Sequence, residues 1–206
     1  MRTHQTSSHR AASRVPTNWR GEINRILISR KQIARRVREL AAEIERDFAG
    51  RDLVIVALLN GTVMFLADLI RHLNLPLRLD FIGVSSYREG AKSRELVFTK
   101  ELRLDVRGRD VLLVDDILDT GRTLKAVSAK LRKLKPRRLR VCVLLEKQAR
   151  RVEKVRAHYV GFQIPDAFVV GYGLDYAERY RNLPFVGILH PRMYEHESRS
   201  PDPKSR

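Results

Sequence analysis

A chain of 206 residues, 43% hydrophobic and 32% charged, has room for one well-packed domain and is short for two. Its formal net charge is +17, and residues 22–189 alone hold 33 basic against 21 acidic side chains, so the excess belongs to the body and not only to the ends. No apolar run approaches the roughly 18 residues of a membrane span, the six histidines have no zinc-ligand spacing, and the lone Cys142, set in an apolar run, excludes an internal disulfide and suits a reducing cytoplasm.

Residues 1–21 carry four arginines, several hydroxyl side chains and no acid, the composition of a disordered basic arm without the apolar core of a secretion signal. The fold is expected over residues 22–190, and residues 191–206, rich in Pro, Ser and mixed charge, read as a flexible tail. Ser29 and Gln32 form a capping box for a helix of about five turns, whose stripe is Ile33, Val37, Leu40, Ala41, Ile44 and Phe48. A buried strand at residues 53–59 follows. Asn60-Gly61-Thr62 then turns into a second helix over residues 63–73, with Phe65, Leu66, Leu69, Ile70 and Leu73 inward. Further strands are expected near residues 79–84, 96–99, 111–114, 139–145, 159–162, 168–170 and 186–189, with a polar, small-residue stretch at 85–94. Strands alternating with helices give an α/β class with a mainly parallel sheet covered by helices. Such sheets bind ligands at the carboxyl ends of their strands, where Asn60, Asp115 and Lys147 fall.

The most specific segment is residues 111–123, VLLVDDILDTGRT: apolar strand formers, two adjacent carboxylates, and a short loop entering a helix with Leu124, Val127, Leu131 and Leu134 at helical spacing. The N–H groups of residues 120–123 and the helix dipole favour an anion there, and Gly121 lets the backbone approach it. The spacing is neither a Walker loop nor a dinucleotide fingerprint. Taken singly, each Asp could be turn punctuation, and Asp119 could be a helix N-cap.

As an ordered set these residues resemble the phosphoribosyl-diphosphate signature of type I phosphoribosyltransferases. A wider resemblance, to the hypoxanthine (and guanine) phosphoribosyltransferases, covers about residues 22–190. It rests on FVVGYGLDY at 168–176 followed by RYRNLP at 179–184, on LLNGT at 58–62, on Ser86-Tyr87 and on Leu145-Glu146-Lys147. The resemblance implies a type I fold with a small hood and a mobile lid loop. It implies transfer of the phosphoribosyl group of 5-phospho-α-D-ribose 1-diphosphate to hypoxanthine, and to guanine, in purine salvage, with Mg²⁺ as cofactor. Exposed faces on the helix after Gly61 suit a homodimer or homotetramer, the cysteine usage a cytoplasmic setting, and the absence of a membrane span and of nucleic-acid motifs leaves small-molecule substrates as the expected partners.

Residue by residue, the resemblance implies Asp119 as general base at the purine. Asp115, Asp116, Asp119, Thr120, Gly121, Arg122 and Thr123 would bind the phosphoribosyl group, with Arg122 in a variable slot. Asn60, Gly61 and Arg181 would bind pyrophosphate, Asn60 replacing a cation common in the family, and a cis peptide is implied at Leu59–Asn60. Lys147, Phe168, Val169 and Asp175 would bind the purine, and Ser86 and Tyr87 would belong to the lid. Asp175, Asp115 and Asp116 would serve the metal, with Asp115 one methylene shorter than the Glu of many relatives. Two alternatives stay open: a xanthine-preferring or broad 6-oxopurine transferase, and an RNA-binding regulator on the same fold. The basic clusters at 30–38, 132–140 and 150–156 favour the latter only if they are more than solvated faces, and no nucleic-acid-binding motif accompanies them.

Overall fold

The structure, a computed structural model, describes residues 14–87 and 95–195. Most of the expected lid, residues 88–94, lies outside the described residues, as do the side chains of Ser86 and Tyr87. Twelve elements follow in order: β1 (Ile23–Ile28), α1 (Arg30–Phe48), β2 (Leu53–Leu59), α2 (Val63–Arg71), β3 (Leu77–Tyr87), β4 (Glu95–Lys100), β5 (Asp110–Leu118), α3 (Arg122–Lys133), β6 (Arg138–Lys147), β7 (Tyr159–Ile164), β8 (Val169–Val170) and β9 (Val186–Leu189).

Six strands form one sheet in the order β4-β3-β2-β5-β6-β7, parallel except for β4 at the edge. Its central strands are apolar on both faces because both are covered. Leu53, Ile55, Ala57, Leu112 and Val114 face the layer of α1 and α2, while Val54, Val56, Val111 and Leu113 face that of α3. Each of these Val, Leu and Ile side chains, fully buried, contributes about 1.5–3 kcal/mol. The capping box forms as expected: the Ser29 N–H donates to Gln32 Oε1 at 2.9 Å, and the Gln32 N–H to Ser29 Oγ at 3.4 Å.

A second, small sheet joins the two ends of the fold in the order β1-β9-β8, antiparallel throughout. Sequence reading missed β1, whose partner β9 lies far along the chain and whose six residues INRILI show no clean alternation. Two helix ends also differ from expectation. α2 stops at Arg71, its last carbonyls taken by short turns to His72 and Leu73, although Leu73 stays buried. Leu134 lies just past α3 and is 41% exposed, so it is not part of the inward stripe.

Residues outside the expected body pack on the small sheet. A 3₁₀ turn at Thr17–Trp19 brings Trp19 edge-on to Tyr180, and a second at Pro191–Met193 sets Met193 and Tyr194 against the same cluster.

Candidate active site

β5 outruns one of its neighbours. Its ladder with β2 ends at Ala57↔Val114, whereas pairing with β6 continues to Leu118↔Glu146. The edge that β2 vacates opens a cavity of about 250 Å³ lined by Leu59, Gly61, Asp115, Asp116, Asp119, Thr120, Gly121 and Thr123. Asp115 and Asp116 therefore lie within the strand and not past its end, as sequence reading placed them.

Gly121 is the N-cap of α3 with φ +85°, a backbone state that disfavours any side chain with a Cβ, so Asp119 is not the helix cap. The first N–H groups of α3 have no carbonyl partner within the helix, and Gly121, Thr123 and Leu124 at that end line the cavity. Residues 148–156 hold this loop from behind. Val152 and Glu153 N–H groups both donate to the Thr120 carbonyl, at 3.0 and 2.9 Å, and a Cβ on Gly121 would lie 2.9 Å from the Glu153 carbonyl oxygen. Arg151 spreads its guanidinium over the Asp119, Lys147 and Val155 carbonyls and Glu146 Oε1. Sequence reading took Arg151 for part of a solvated cluster, since nothing local distinguishes it from Arg150.

The carboxylates are underprovided with donors. Asp115 is buried and accepts from Thr62 Oγ1 at 3.3 Å and the Asp116 N–H at 3.0 Å. Burial, reinforced by the neighbouring charge of Asp116, pushes its pKa well above the ordinary carboxylate value. Burial raises that of Asp116 as well, against the attraction of Arg181. Asp119 Oδ1 is buried with no hydrogen-bond partner among the described residues, and its Oδ2 lies 3.9 Å from Arg150 Nη1.

Three segments meet beside Asp116. A Cβ on Gly61 would fall 1.8 Å from Asp116 Oδ2, and one on Gly173 would fall 1.9 Å from the Gly61 carbonyl oxygen. The Leu59–Asn60 peptide just before is cis, as the resemblance implied, and Asn60 itself is exposed. Arg181 donates to the Gly173 carbonyl at 2.9 Å and pairs with Asp175 Oδ1 at 3.0 Å, while Asp175 Oδ2 accepts the Glu178 N–H.

The remaining expected residues do not line this cavity. Lys147, at the end of β6, is 5% exposed, so it is no ordinary surface lysine, and its Nζ lies 3.9 Å from Asp166 Oδ1. Arg150 reaches the same oxygen at 3.8 Å, which links Lys147 through Asp166 and Arg150 to Asp119. Phe168 is 38% exposed; one face stacks on Tyr194 at 5.0 Å and an edge contact joins Tyr176. Val169 is buried in β8, and Arg122 points to solvent. Tyr194 falls in the segment 191–206, which the sequence suggests as a tail and where no periodic signal reveals its role.

The chain matches the family model described as phosphoribosyl transferase domain over residues 26–177. It is 43% identical over 175 residues, 84% of this chain and 97% of the relative, to the hypoxanthine-guanine phosphoribosyltransferase of Bacillus subtilis (strain 168). Among solved structures, a hypoxanthine phosphoribosyltransferase from Staphylococcus aureus is 41% identical with a TM-score of 0.83, covering 88% of this chain and 99% of that one. A hypoxanthine-guanine-xanthine phosphoribosyltransferase is 36% identical with a TM-score of 0.76, covering 82% and 98%.

Proposed function

From the premise that the chain belongs to the phosphoribosyltransferase family, we propose that its cavity transfers the phosphoribosyl group of 5-phospho-α-D-ribose 1-diphosphate to hypoxanthine, and to guanine, for purine salvage. The observation that carries this reading is one strand-loop-helix unit in which buried carboxylates and an Asp119 oxygen without a partner among the described residues line the same cavity as Thr120, Gly121 and Thr123, where α3 opens.

The reaction breaks the bond from C1′ of the ribose to the diphosphate and forms one from C1′ to a purine ring nitrogen. The N–H groups and hydroxyls of residues 120–123 hold the 5′-phosphate. Asp115 and Asp116 accept from the ribose hydroxyls and offset the positive charge that develops on the ring. Asp119 takes the proton that leaves purine N7, for which its free Oδ1 is suited. Lys147 donates to the 6-oxo group, which disfavours a 6-amino purine because two donors would then face each other. Phe168 stacks on the base through the face Tyr194 leaves open, the Val169 main chain bonds its edge, and Asn60, Gly61 and Arg181 receive the diphosphate.

Among the described residues no three His, Cys, Asp or Glu side chains gather into a ready-made metal site. The buried acids Asp115 and Asp116 at the cavity fit Mg²⁺ nonetheless, because Mg²⁺ is commonly held by one or two carboxylates together with substrate phosphate oxygens. Asp115, Asp116 and Asp175 would hold it, and when bound it would neutralise charge on the diphosphate. The exposed Val63 and Met64 on α2 suit a homodimer or homotetramer, and the buried Cys142 thiol suits a cytoplasmic setting.

A coupled assay on hypoxanthine, guanine and xanthine, with and without Mg²⁺, tests the reading. Nucleotide formed from hypoxanthine and guanine only when Mg²⁺ is present supports it. Preference for xanthine shifts the assignment to the broader relative, and salt-sensitive RNA binding with no nucleotide product overturns it.

A further inference from the structure

The segment that fastens Thr120 continues into Lys154, Val155 and Arg156, which wall a second cavity of about 230 Å³. Lys125, Ser128 and Arg132 of α3, with His158 before β7, complete it. The charge there is one-sided. Lys125 has a partner, Glu153 at 2.6 Å, but Arg132, Lys154 and Arg156 have no acidic partner among the described residues.

Two neutral groups also await an acceptor or an anion. Ser128 is 2% exposed, and its Oγ is buried without a hydrogen-bond partner among the described residues. A serine inside a helix ordinarily bonds back to a carbonyl of the preceding turn or reaches water. His158 accepts the Val141 N–H on Nδ1 at 3.1 Å, which leaves Nε2 as the donor of the neutral ring. Burial pulls the imidazole pKa down to about 4, and the charges of Arg140, Arg156 and Arg132 around it act in the same direction.

We propose that this cavity is a second anion site, distinct from the active-site cavity, that takes a short phosphate chain: free inorganic triphosphate or the triphosphate end of a nucleotide. The volume falls below the ~300–1,000 Å³ of ordinary ligand pockets, which suits a phosphate chain without its base inside. Forked guanidinium donors from Arg132 and Arg156, ammonium groups from Lys125 and Lys154, and a hydroxyl donor from Ser128 match its oxygens. The site does not depend on which base the enzyme uses.

Lysine acetylation of the native protein, read peptide by peptide by mass spectrometry without Mg²⁺, tests the proposal. At about ten times its Kd, tripolyphosphate slows labelling of Lys154 about tenfold, while Lys31 and Lys133, exposed outside the cavity, label at their ordinary rate. Protection by tripolyphosphate alone points to a free chain, and equal protection by ATP points to a nucleotide end. The variant R132S/R156S changes two exposed side chains, keeps its basal turnover and loses the protection. Equal slowing at all lysines, protection that survives in R132S/R156S, or protection by single-stranded RNA but not by tripolyphosphate overturns the proposal.

Discussion

Asp80 and Asp115 sit on strands of the large sheet on either side of β2, 5% and 8% exposed, yet burial has opposite consequences for them. Asp80 accepts the N–H groups of Phe81, Arg103 and Leu104 at 2.6–2.9 Å and pairs with Lys100 at 3.1 Å. Burial works to raise its pKa, but those donors outweigh it and bring the value down to about 2. Asp115 has two donors and a like-charged neighbour, and its pKa goes up. A carboxylate whose lone pairs are consumed by backbone amides fastens a loop. One buried with spare accepting capacity is placed for something the protein itself does not supply.

The sharpest test of that contrast is Asp119, whose spare capacity is complete at Oδ1. Asp119→Asn keeps the size of the side chain and removes the proton acceptor. Turnover is expected to fall about a hundredfold or more, while sugar-diphosphate binding by calorimetry stays near its native value. Unchanged turnover would break the assignment of these acids to chemistry.

Asp80→Asn should behave in the opposite manner, costing stability and not chemistry. Because the folded pKa is lowered from 3.8 to about 2, the stabilisation is fully present above the unfolded value and is lost as pH falls through that interval. At pH 7 the variant is expected to lose up to about 2 kcal/mol, a fall in Tm of roughly 4–8 °C for a chain of this size. Activity per folded molecule should be unchanged. A Tm difference between native and variant that fails to shrink below pH 3.8 would undo the account.

The contrast also explains what could be read from sequence. The cradle was legible because its parts are consecutive: Asp115, Asp116, Asp119 and the 120–123 loop all come from one strand and its turn, and strand runs and helical stripes are local patterns. Asp80 gave no signal, since its donors come from Arg103 and Leu104 across a hairpin. Arg151 gave none because its four acceptors are mostly backbone carbonyls. β1 and Tyr194 were missed for the same reason: each is defined by pairing with residues at the other end of the fold or in another loop. The place of Lys147 at a strand end was legible, but its role rests on the resemblance to a family, and its link through Asp166 and Arg150 to Asp119 follows no periodicity.

Asp115→Asn sharpens the comparison from the other side. The folded pKa lies above 3.8, so the penalty for ionising this acid is absent below that value, grows as pH rises through the interval to the folded pKa, and is constant above it. The Asn amide can still accept from Thr62 Oγ1 and the Asp116 N–H through its oxygen. The free variant is therefore expected to be more stable than the native protein at pH 7, by about 2–4 °C in Tm for each ~1 kcal/mol relieved, with kcat/KM lowered. A variant less stable at pH 7 would place Asp115 with Asp80 as a fastener.

The smallest expected effect concerns the region where the contrast is between rings and not acids. Tyr194 covers one face of Phe168 at 5.0 Å with 22° between planes, and Phe168 keeps 38% of its surface open. In the proposed reading, a ring held on one side is presented to a base on the other without losing rotational freedom at the moment of binding. Stacked aromatic pairs contribute about 0.5–1.5 kcal/mol beyond their buried area, so Tyr194→Ala is expected to raise KM for the purine about two- to tenfold with kcat little changed. Tyr194→Phe, which retains the ring and drops the hydroxyl, should restore the native KM. If the Phe variant is as impaired as the Ala variant, the hydroxyl and not the stack is what Tyr194 contributes.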